Sequence, residues 1–201
     1  MGIFGRYIKK TYHPLIYEYK IRLMIMPKRF VLTGAMGSGK STILKLLQAT
    51  GLAVIEEPAR QILTEQRSIG DDGVPEKNPK YFSQLLLSRA IYQFKQMQEY
   101  DGNIIYDRGV PDIIAYFQLF NLSYPPAQQA SKLFRYEPHV FVFPPWQEIY
   151  TTDDERKMPF ELARSFGINV QEIYKEYGYT IIQVPYTSPI ERVQFIIDQL
   201  N

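Results

Sequence analysis

The chain has 201 residues, of which 45% are hydrophobic, so it can bury one substantial core, and a single domain is expected. Its 23 basic and 21 acidic residues almost cancel, which argues against an overall field that attracts nucleic acid or an anionic membrane. The absence of cysteine excludes disulfides, thiolate metal sites and cysteine nucleophiles.

The first 28 residues form a basic, aromatic extension ahead of the main domain. Residues 1–29 carry seven basic side chains and one acidic side chain. Apolar and polar residues alternate over 17–26 with the period of a half-buried strand, so the extension is either an added strand or arm, or an unneeded leader. It could also contact a protein partner. No apolar run reaches the roughly 18 residues of a membrane span, no secretory signal is recognisable, and we expect a cytoplasmic protein.

Strands and helices alternate along the main domain, residues 29–201. The strands are predicted at residues 29–33, 52–58, 103–107, 139–143 and 179–184. The helices are predicted at residues 40–48, 82–100, 113–120 and 188–200, the last with a capping box from Ser188 to Glu191. A loop is predicted at residues 66–80. This alternation predicts a doubly wound α/β domain, with a mainly parallel five-stranded sheet and helices on both faces.

Residues 31–44, VLTGAMGSGKSTIL, match the P-loop pattern between a predicted strand and a predicted helix. Glycines let the backbone fold round an anion so that several N–H groups converge on phosphate oxygens, and the following helix adds its positive end. Lys40 would reach the β and γ phosphates of ATP, and the Ser41 hydroxyl would ligate Mg²⁺. The alternative is a glycine-rich turn that binds nothing. The predicted nucleotide-binding residues are Gly34, Ala35, Met36, Gly37, Ser38, Gly39, Lys40, Ser41 and Thr42.

Charged residues follow the second and third predicted strands. Glu56 and Glu57 end the second strand, and Asp107 and Arg108 end the third. In a parallel sheet both pairs lie at the same edge as the P-loop. A carboxylate there could accept a proton from a substrate hydroxyl or hold Mg²⁺ through water, and an arginine could offset charge on the transferred phosphoryl group. The alternative for the two adjacent acids is a solvated strand end.

Five motifs spread over about residues 29–200 resemble a known group: GAMGSGKST, EEPAR, YDRG followed by PDIIAY, DDER, and a final ERV. They resemble the P-loop ATPases related to the nicotinamide riboside kinase domain of NadR, and more distantly the deoxynucleoside kinases. The second resemblance implies that Glu57 accepts the proton of the acceptor hydroxyl and that Arg108 contacts phosphate and steadies that base. Asp107 stands where those kinases have glutamate, and we assign it to Mg²⁺ together with Ser41.

Residues 150–158, YTTDDERKM, fall between the fourth predicted strand and a further helical stretch, where related kinases carry a lid over the ATP phosphates. The resemblance implies Arg156 as a closing arginine, with Lys157 as the second candidate. Closure would exclude water and protect ATP from hydrolysis. The alternative is a solvated charged loop.

Two further residues receive structural interpretations. Asp112 precedes a predicted helix, so it is read as the N-cap of that helix and not as a catalytic group. Trp146 could stack on a nucleotide base, but we expect it to seal the edge of the core.

The sequence therefore predicts a P-loop protein that binds Mg-ATP and transfers the γ-phosphoryl group to a hydroxyl of a small, nucleoside-like acceptor. The predicted catalytic residues are Lys40, Glu57, Arg108 and Arg156. One alternative is an ATPase that acts as a nucleotide switch with a protein partner. A second alternative is an NTPase linked to nucleic acid through the basic extension, with affinity that falls steeply with salt. The choice between ATP and GTP and the identity of the acceptor stay open.

Overall fold

The computed structural model describes residues 27–150 and 158–200. Its strands are β1 (Lys28–Gly34), β2 (Ala53–Ile55), β3 (Asn103–Asp107), β4 (His139–Phe143) and β5 (Thr180–Gln183). Its helices are α1 (Lys40–Ala49), α2 (Ala59–Ser68), α3 (Pro79–Gln96), α4 (Val110–Leu119), α5 (Pro125–Leu133), α6 (Phe160–Glu176) and α7 (Pro189–Ile197), with a short 3₁₀ turn at Gln147–Ile149. Most of the predicted N-terminal extension, residues 1–26, lies outside the described residues.

The five strands form one parallel sheet in the order β2-β3-β1-β4-β5. In the register of the sheet, Leu32 of β1 lies opposite Asp107 of β3 and Phe141 of β4. Because all strands run in the same direction, their carboxyl ends meet at one edge, where the loops after β1, β2 and β3 bring the predicted site residues together. The predicted parallel five-stranded sheet is confirmed.

Apolar side chains from each strand alternate between two buried clusters, one on each face of the sheet. Ile104 of β3 packs with α4 and α6, whereas its neighbour Ile105 packs with α1 and α7. This period of two is why the strand sequences are continuously apolar, since both faces of the sheet are covered. The predicted placement of helices on both faces is therefore confirmed.

Two helices lie where none is predicted, and two others start earlier than predicted. Helix α2 occupies Ala59–Ser68, so the loop expected from residue 66 begins only after Ser68. Only Ile62 and Gln66 of α2 are buried, which is too few to produce a clear helical pattern of apolar residues. Helix α5 (Pro125–Leu133) buries only small side chains. Helix α3 begins at Pro79, where the Asn78 side chain accepts the Tyr81 N–H at 3.1 Å. Helix α4 begins at Val110, not at residue 113.

The amino terminus of α7 matches the prediction in detail. The Ser188 hydroxyl accepts the Glu191 N–H, and the Glu191 carboxylate accepts the Ser188 N–H at 3.0 Å, with Pro189 as the first helical residue. This reciprocal capping box satisfies two backbone donors that a helix end otherwise leaves unpaired. None of the helices in the described ranges combines the length and apolarity needed to cross a membrane.

Candidate active site

The turn between β1 and α1 has the backbone geometry of a phosphate-binding loop. Gly37 and Gly39 adopt φ of 73° and 79°, a left-handed conformation that side chains disfavour. The backbone N–H groups of residues 36–42 donate no hydrogen bond to another described residue. The Ser38 hydroxyl donates to the Ala35 carbonyl at 2.8 Å, and Arg192 of α7 donates to the Ser38 carbonyl at 3.0 Å. The loop therefore presents a run of unpaired N–H donors while two of its carbonyls are bound by side chains.

The P-loop opens onto a cavity of about 1470 Å³. Its wall brings together most of the site residues predicted from the sequence, namely Met36, Gly37, Ser38, Gly39, Lys40, Ser41, Thr42, Glu57, Asp107 and Arg108. Gly34 and Ala35 lie beneath the loop instead. The Gly34 carbonyl accepts a hydrogen bond from the guanidinium of Arg108, and the Ala35 backbone N–H donates to the Phe143 carbonyl. A Cβ on Gly34 would lie 2.1 Å from that same Phe143 oxygen, so β4 leaves no room for a side chain there.

Lys40 and Asp107 form an ion pair between the start of α1 and the end of β3. The Lys40 side chain is 8% exposed and that of Asp107 13% exposed, so both reach the cavity wall from a mostly buried position. Ser41, in the first turn of α1, is exposed to the cavity. Hydroxyl and carboxylate oxygens are ligands that suit Mg²⁺. The described residues contain no group of three or more His, Cys, Asp or Glu side chains that could hold a metal, so a Mg²⁺ ion at Ser41 and Asp107 would also need phosphate or water oxygens.

Arg108 is held in a strained backbone conformation at the end of β3. Its φ is 65°, and its N–H donates to the Leu32 carbonyl at 2.9 Å. The guanidinium donates from Nη1 to Asp112 at 2.9 Å, and its Nε lies 3.1 Å from a carboxylate oxygen of Glu57. Burial acts to lower the pKa of Arg108, but the charge of Glu57 and its other anionic neighbours raise that pKa well above its ordinary value. Arg108 is therefore a fixed cation.

Glu57 follows β2 and faces the cavity with one oxygen already bound. The Tyr116 hydroxyl of α4 donates to Oε1 at 2.7 Å, and Arg108 Nε approaches the same oxygen. The second oxygen, Oε2, has no hydrogen bond to a described residue, and the side chain is 22% exposed. Burial raises the pKa of Tyr116 well above its ordinary value, so its hydroxyl stays protonated and keeps donating to Glu57. The arrangement orients a carboxylate with one oxygen available to a ligand.

Asp112 is a buried hub, and its interpretation as an N-cap is wrong. It is the third residue of α4, where its carboxylate accepts the N–H of the true N-cap, Gly109, at 2.9 Å. The same carboxylate accepts hydrogen bonds from the hydroxyl of Thr33 and, at 2.7 Å, from the hydroxyl of Tyr174. It also accepts one from the guanidinium of Arg108. The Asp112 side chain is 1% exposed. The only sequence signal for this role is that Arg108 and Asp112 lie four residues apart, on either side of the start of α4.

Trp146 lies in the wall of the large cavity. It packs edge-on against Tyr186 with ring centroids 5.2 Å apart, and the Arg192 guanidinium lies 5.5 Å from its ring. The residues predicted to close over the phosphates, Arg156 and Lys157, lie outside the described residues, so the lid stays a prediction.

A sequence model of a family described as an AAA domain matches residues 29–192. The chain belongs to this family, AAA_28. None of the curated proteins matches the chain.

Solved structures with similar folds include kinases of several kinds. Deoxyadenosine kinase from M. mycoides, with dCMP and dCDP bound, covers 86% of this chain and 98% of its own, at 18% identity and a TM-score of 0.63. NadR in complex with NR covers 91% of this chain and 55% of its own, at 17% identity and a TM-score of 0.65. Shikimate kinase from Acinetobacter baumannii, in complex with shikimate, covers 89% and 95%, at 15% identity and a TM-score of 0.54. At this identity the likeness shows the fold, and the predicted relationships to NadR and to deoxynucleoside kinases are confirmed at that level.

Proposed function

We propose that this protein is a kinase that transfers the γ-phosphoryl group of Mg-ATP to a hydroxyl of an uncharged, nucleoside-like acceptor. One observation carries the proposal: Glu57 is held by Tyr116 and Arg108 on the wall of the same cavity as the P-loop, with one oxygen left unbound among the described residues. A nucleotide switch does not need such a base, whereas transfer to a hydroxyl does.

In the proposed reaction the P-loop N–H groups and Lys40 hold the triphosphate. Ser41 and Asp107 would hold Mg²⁺, which neutralises charge on the β and γ phosphates when bound. Glu57 accepts the proton of the acceptor's hydroxyl group while the hydroxyl oxygen bonds to the γ-phosphorus. The bond between that phosphorus and the oxygen that bridges the β and γ phosphates breaks, which releases ADP. Arg108, already cationic, offsets charge on the moving phosphoryl group.

The surroundings of Glu57 favour an acceptor without negative charge. A second, small cavity of about 20 Å³ adjoins the large one and shares six residues with it: Glu57, Pro58, Gln93, Asp107, Arg108 and Tyr116. Its remaining wall is mostly apolar or aromatic, formed by Ile55, Leu86, Ala90, Tyr106, Gly109, Asp112, Ile113 and Tyr136. The cation in this wall, Arg108, is already paired with the carboxylates of Glu57 and Asp112. A carboxylate or phosphate on the part of the acceptor that reaches the small cavity would meet those acids, and the described wall of that cavity holds no cation besides Arg108, which is unfavourable.

The small cavity can take only an edge of an acceptor. A space of about 20 Å³ holds about one water molecule, so the bulk of an acceptor would lie in the large cavity.

The test is ADP formation from Mg-ATP against a panel of hydroxyl compounds that includes nucleosides, nicotinamide riboside, shikimate and a nucleoside monophosphate. We expect an uncharged compound to stimulate ADP formation with matching appearance of its phosphate ester. Glu57→Gln should lower that rate about 10²- to 10⁴-fold, because the amide cannot accept the proton. Its matched control is Glu56→Gln, since Glu56 is the adjacent exposed acid and should be the less sensitive position.

If ADP formation is indifferent to every compound and to Glu57→Gln, the kinase proposal is wrong and the nucleotide switch becomes the better interpretation. Stimulation by shikimate or the monophosphate alone would keep the kinase but overturn the uncharged acceptor.

A further inference from the structure

Arg192 stands out among the buried cations of the described residues. Three basic side chains are buried there, Lys40, Arg108 and Arg192. Lys40 pairs with Asp107, and Arg108 pairs with both Glu57 and Asp112. Arg192 is 3% exposed, the most buried of the three, and makes no ion pair with a carboxylate of the described residues.

The contacts of Arg192 place it against the P-loop. Its Nη2 donates to the Ser38 carbonyl at 3.0 Å. Its Nη1 lies only 3.0 Å from where a Cβ on Gly39 would be. The guanidinium carbon lies 4.7 Å from the ring centroid of Phe143 and 5.5 Å from that of Trp146. The side chain is therefore fixed between two rings and the anion-binding turn, although it lies far from the P-loop motif in sequence.

An unpaired, buried guanidinium needs a physical explanation. Desolvation disfavours a charged group, and burial lowers the pKa of Arg192. Arginine nevertheless stays protonated in proteins, so the charge persists. Its Nε is buried without a hydrogen-bond partner among the described residues, so packing on the rings does not fully replace solvation. The cost would be offset by an anion in the adjacent cavity, whose wall includes both Gly39 and Arg192.

We propose that Arg192 is a second cation of the donor-nucleotide site, a positioning residue that holds the P-loop in its phosphate-binding conformation and adds positive charge beside Gly39. The inference rests on the proposed function only in that a nucleoside triphosphate binds at the P-loop. By donating to the Ser38 carbonyl, Arg192 keeps that oxygen occupied, so the neighbouring peptide groups present N–H and not C=O to the phosphates. Its charge is attracted to the triphosphate across a poorly solvated wall, where Coulomb interactions are stronger than in water.

The first experiment compares Arg192→Met and Arg192→Lys with the wild type by calorimetric titration of Mg-ATP and of adenosine. Methionine keeps an apolar stem between the rings but removes the charge and the hydrogen bond. We expect it to weaken Mg-ATP binding about 10- to 100-fold, the value of a hydrogen bond to a charged group, and to leave adenosine binding unchanged. Lysine keeps the charge without the planar guanidinium, so Arg192→Lys should recover part of the lost Mg-ATP affinity. Because added salt screens charge, the affinity of Arg192→Lys should also depend on salt more as in the wild type than that of Arg192→Met does.

The matched control is Arg135→Met. Arg135 also donates to a backbone carbonyl, that of Tyr177, at 2.8 Å, and lies 4.0 Å from the centroid of the Tyr179 ring. It is exposed and does not line the cavity. This variant removes the same kinds of contact and the same charge far from the P-loop, so Mg-ATP affinity should not change.

A second measurement uses the wild-type protein and does not depend on how a variant folds. Trp146 is the only tryptophan of the chain, and it contacts Arg192. Inorganic tripolyphosphate with Mg²⁺ carries the phosphates without a base that could stack on Trp146. Its binding should attract the Arg192 guanidinium and so change the surroundings of the Trp146 ring. We therefore expect a saturable change in tryptophan emission.

Equal losses for Mg-ATP and adenosine in Arg192→Met would mean that the residue only supports the fold near the base, and the inference would be wrong. Unchanged Mg-ATP affinity in both variants, or flat emission at saturating tripolyphosphate, would also overturn it. These outcomes differ from a failure of the proposed function, in which the wild type binds Mg-ATP but phosphorylates no acceptor.

Discussion

The P-loop turn and the acid cluster beside it are built in opposite ways. The acid cluster consists of Glu57, Arg108, Asp112, Tyr116 and Tyr174. The turn belongs to one contiguous segment, residues 35–42, in which the backbone N–H groups of residues 36–42 donate no hydrogen bond to another described residue. The cluster joins side chains from the end of β2, the end of β3 and two helices, with Asp112 accepting hydrogen bonds from Arg108 and Tyr174. The turn therefore depends on local conformation, whereas the cluster depends on tertiary packing.

This difference determines how each region should respond to substitution. Removing a side chain at the turn leaves its backbone donors in place, so function should suffer more than stability. Removing a member of the cluster leaves a buried charge without its partner, which lowers stability as well as activity. Two substitutions test this contrast, and a third tests a local cap on α7 outside both regions; they are given from the largest expected effect to the smallest.

Asp112→Asn should have the largest effect on folding. It removes a carboxylate that is 1% exposed and pairs with Arg108 at 2.9 Å. Losing one partner of a buried ion pair costs about 3 to 5 kcal/mol of unfolding free energy, which denaturant titration would measure. Kinase activity should fall as well, because Arg108 loses one of its anchors beside Glu57. The control is Asp198→Asn. Asp198 is an exposed aspartate at the end of α7 and accepts a hydrogen bond from the Gln194 side chain at 2.7 Å. A loss no larger than in this control would contradict the hub assignment.

Lys40→Met should affect function far more than folding. Without the ammonium group, nucleotide affinity should drop and the transfer rate should fall about 10²- to 10³-fold, as when one preorganised donor to the transition state is lost. The unfolding free energy should change less than in Asp112→Asn, because the Lys40 pair lies at the cavity wall. Calorimetric titration and steady-state kinetics measure the two effects. Lys175→Met is the control, since Lys175 also pairs with a carboxylate, Glu172, at 2.8 Å but is exposed on α6. Wild-type nucleotide affinity in Lys40→Met would contradict the P-loop assignment.

Glu191→Ala should have the smallest effect, and the effect should depend on pH. Hydrogen bonds from the Ser188 hydroxyl and N–H lower the pKa of Glu191 below its ordinary value of 4.5. Its contribution is therefore present above pH 4.5 and is lost as the pH falls through the lower, folded-state pKa. Unfolding titrations should show a small difference from wild type at about pH 7 that narrows at about pH 3. The control is the exposed Glu99→Ala, and an equal, pH-independent loss in both variants would exclude the capping role.

The contrast also explains which features could be predicted from the sequence. The P-loop, the five strands and the α7 capping box depend on residues close together in the chain. The structure confirms their positions except that β2 ends at Ile55, three residues earlier than predicted. Helix α2 was not predicted because it buries only Ile62 and Gln66, so its apolar pattern is weak. Asp112 was misplaced because a capping pattern cannot show that the same carboxylate also binds Thr33 and Tyr174, which lie 79 and 62 residues away in the chain.

The sequence alone determined the fold class and the position of the P-loop, because alternating apolar segments and a glycine-rich turn are local patterns with local physical causes. Only the tertiary structure decided the partners of the charged residues. Packing of α4 and α7 against the sheet brings Tyr116 to Glu57, and Arg192 to Ser38. Hydrogen bonds and ion pairs act over a few ångströms in space irrespective of separation along the chain, so these partners become visible only once the sheet and its helices are assembled.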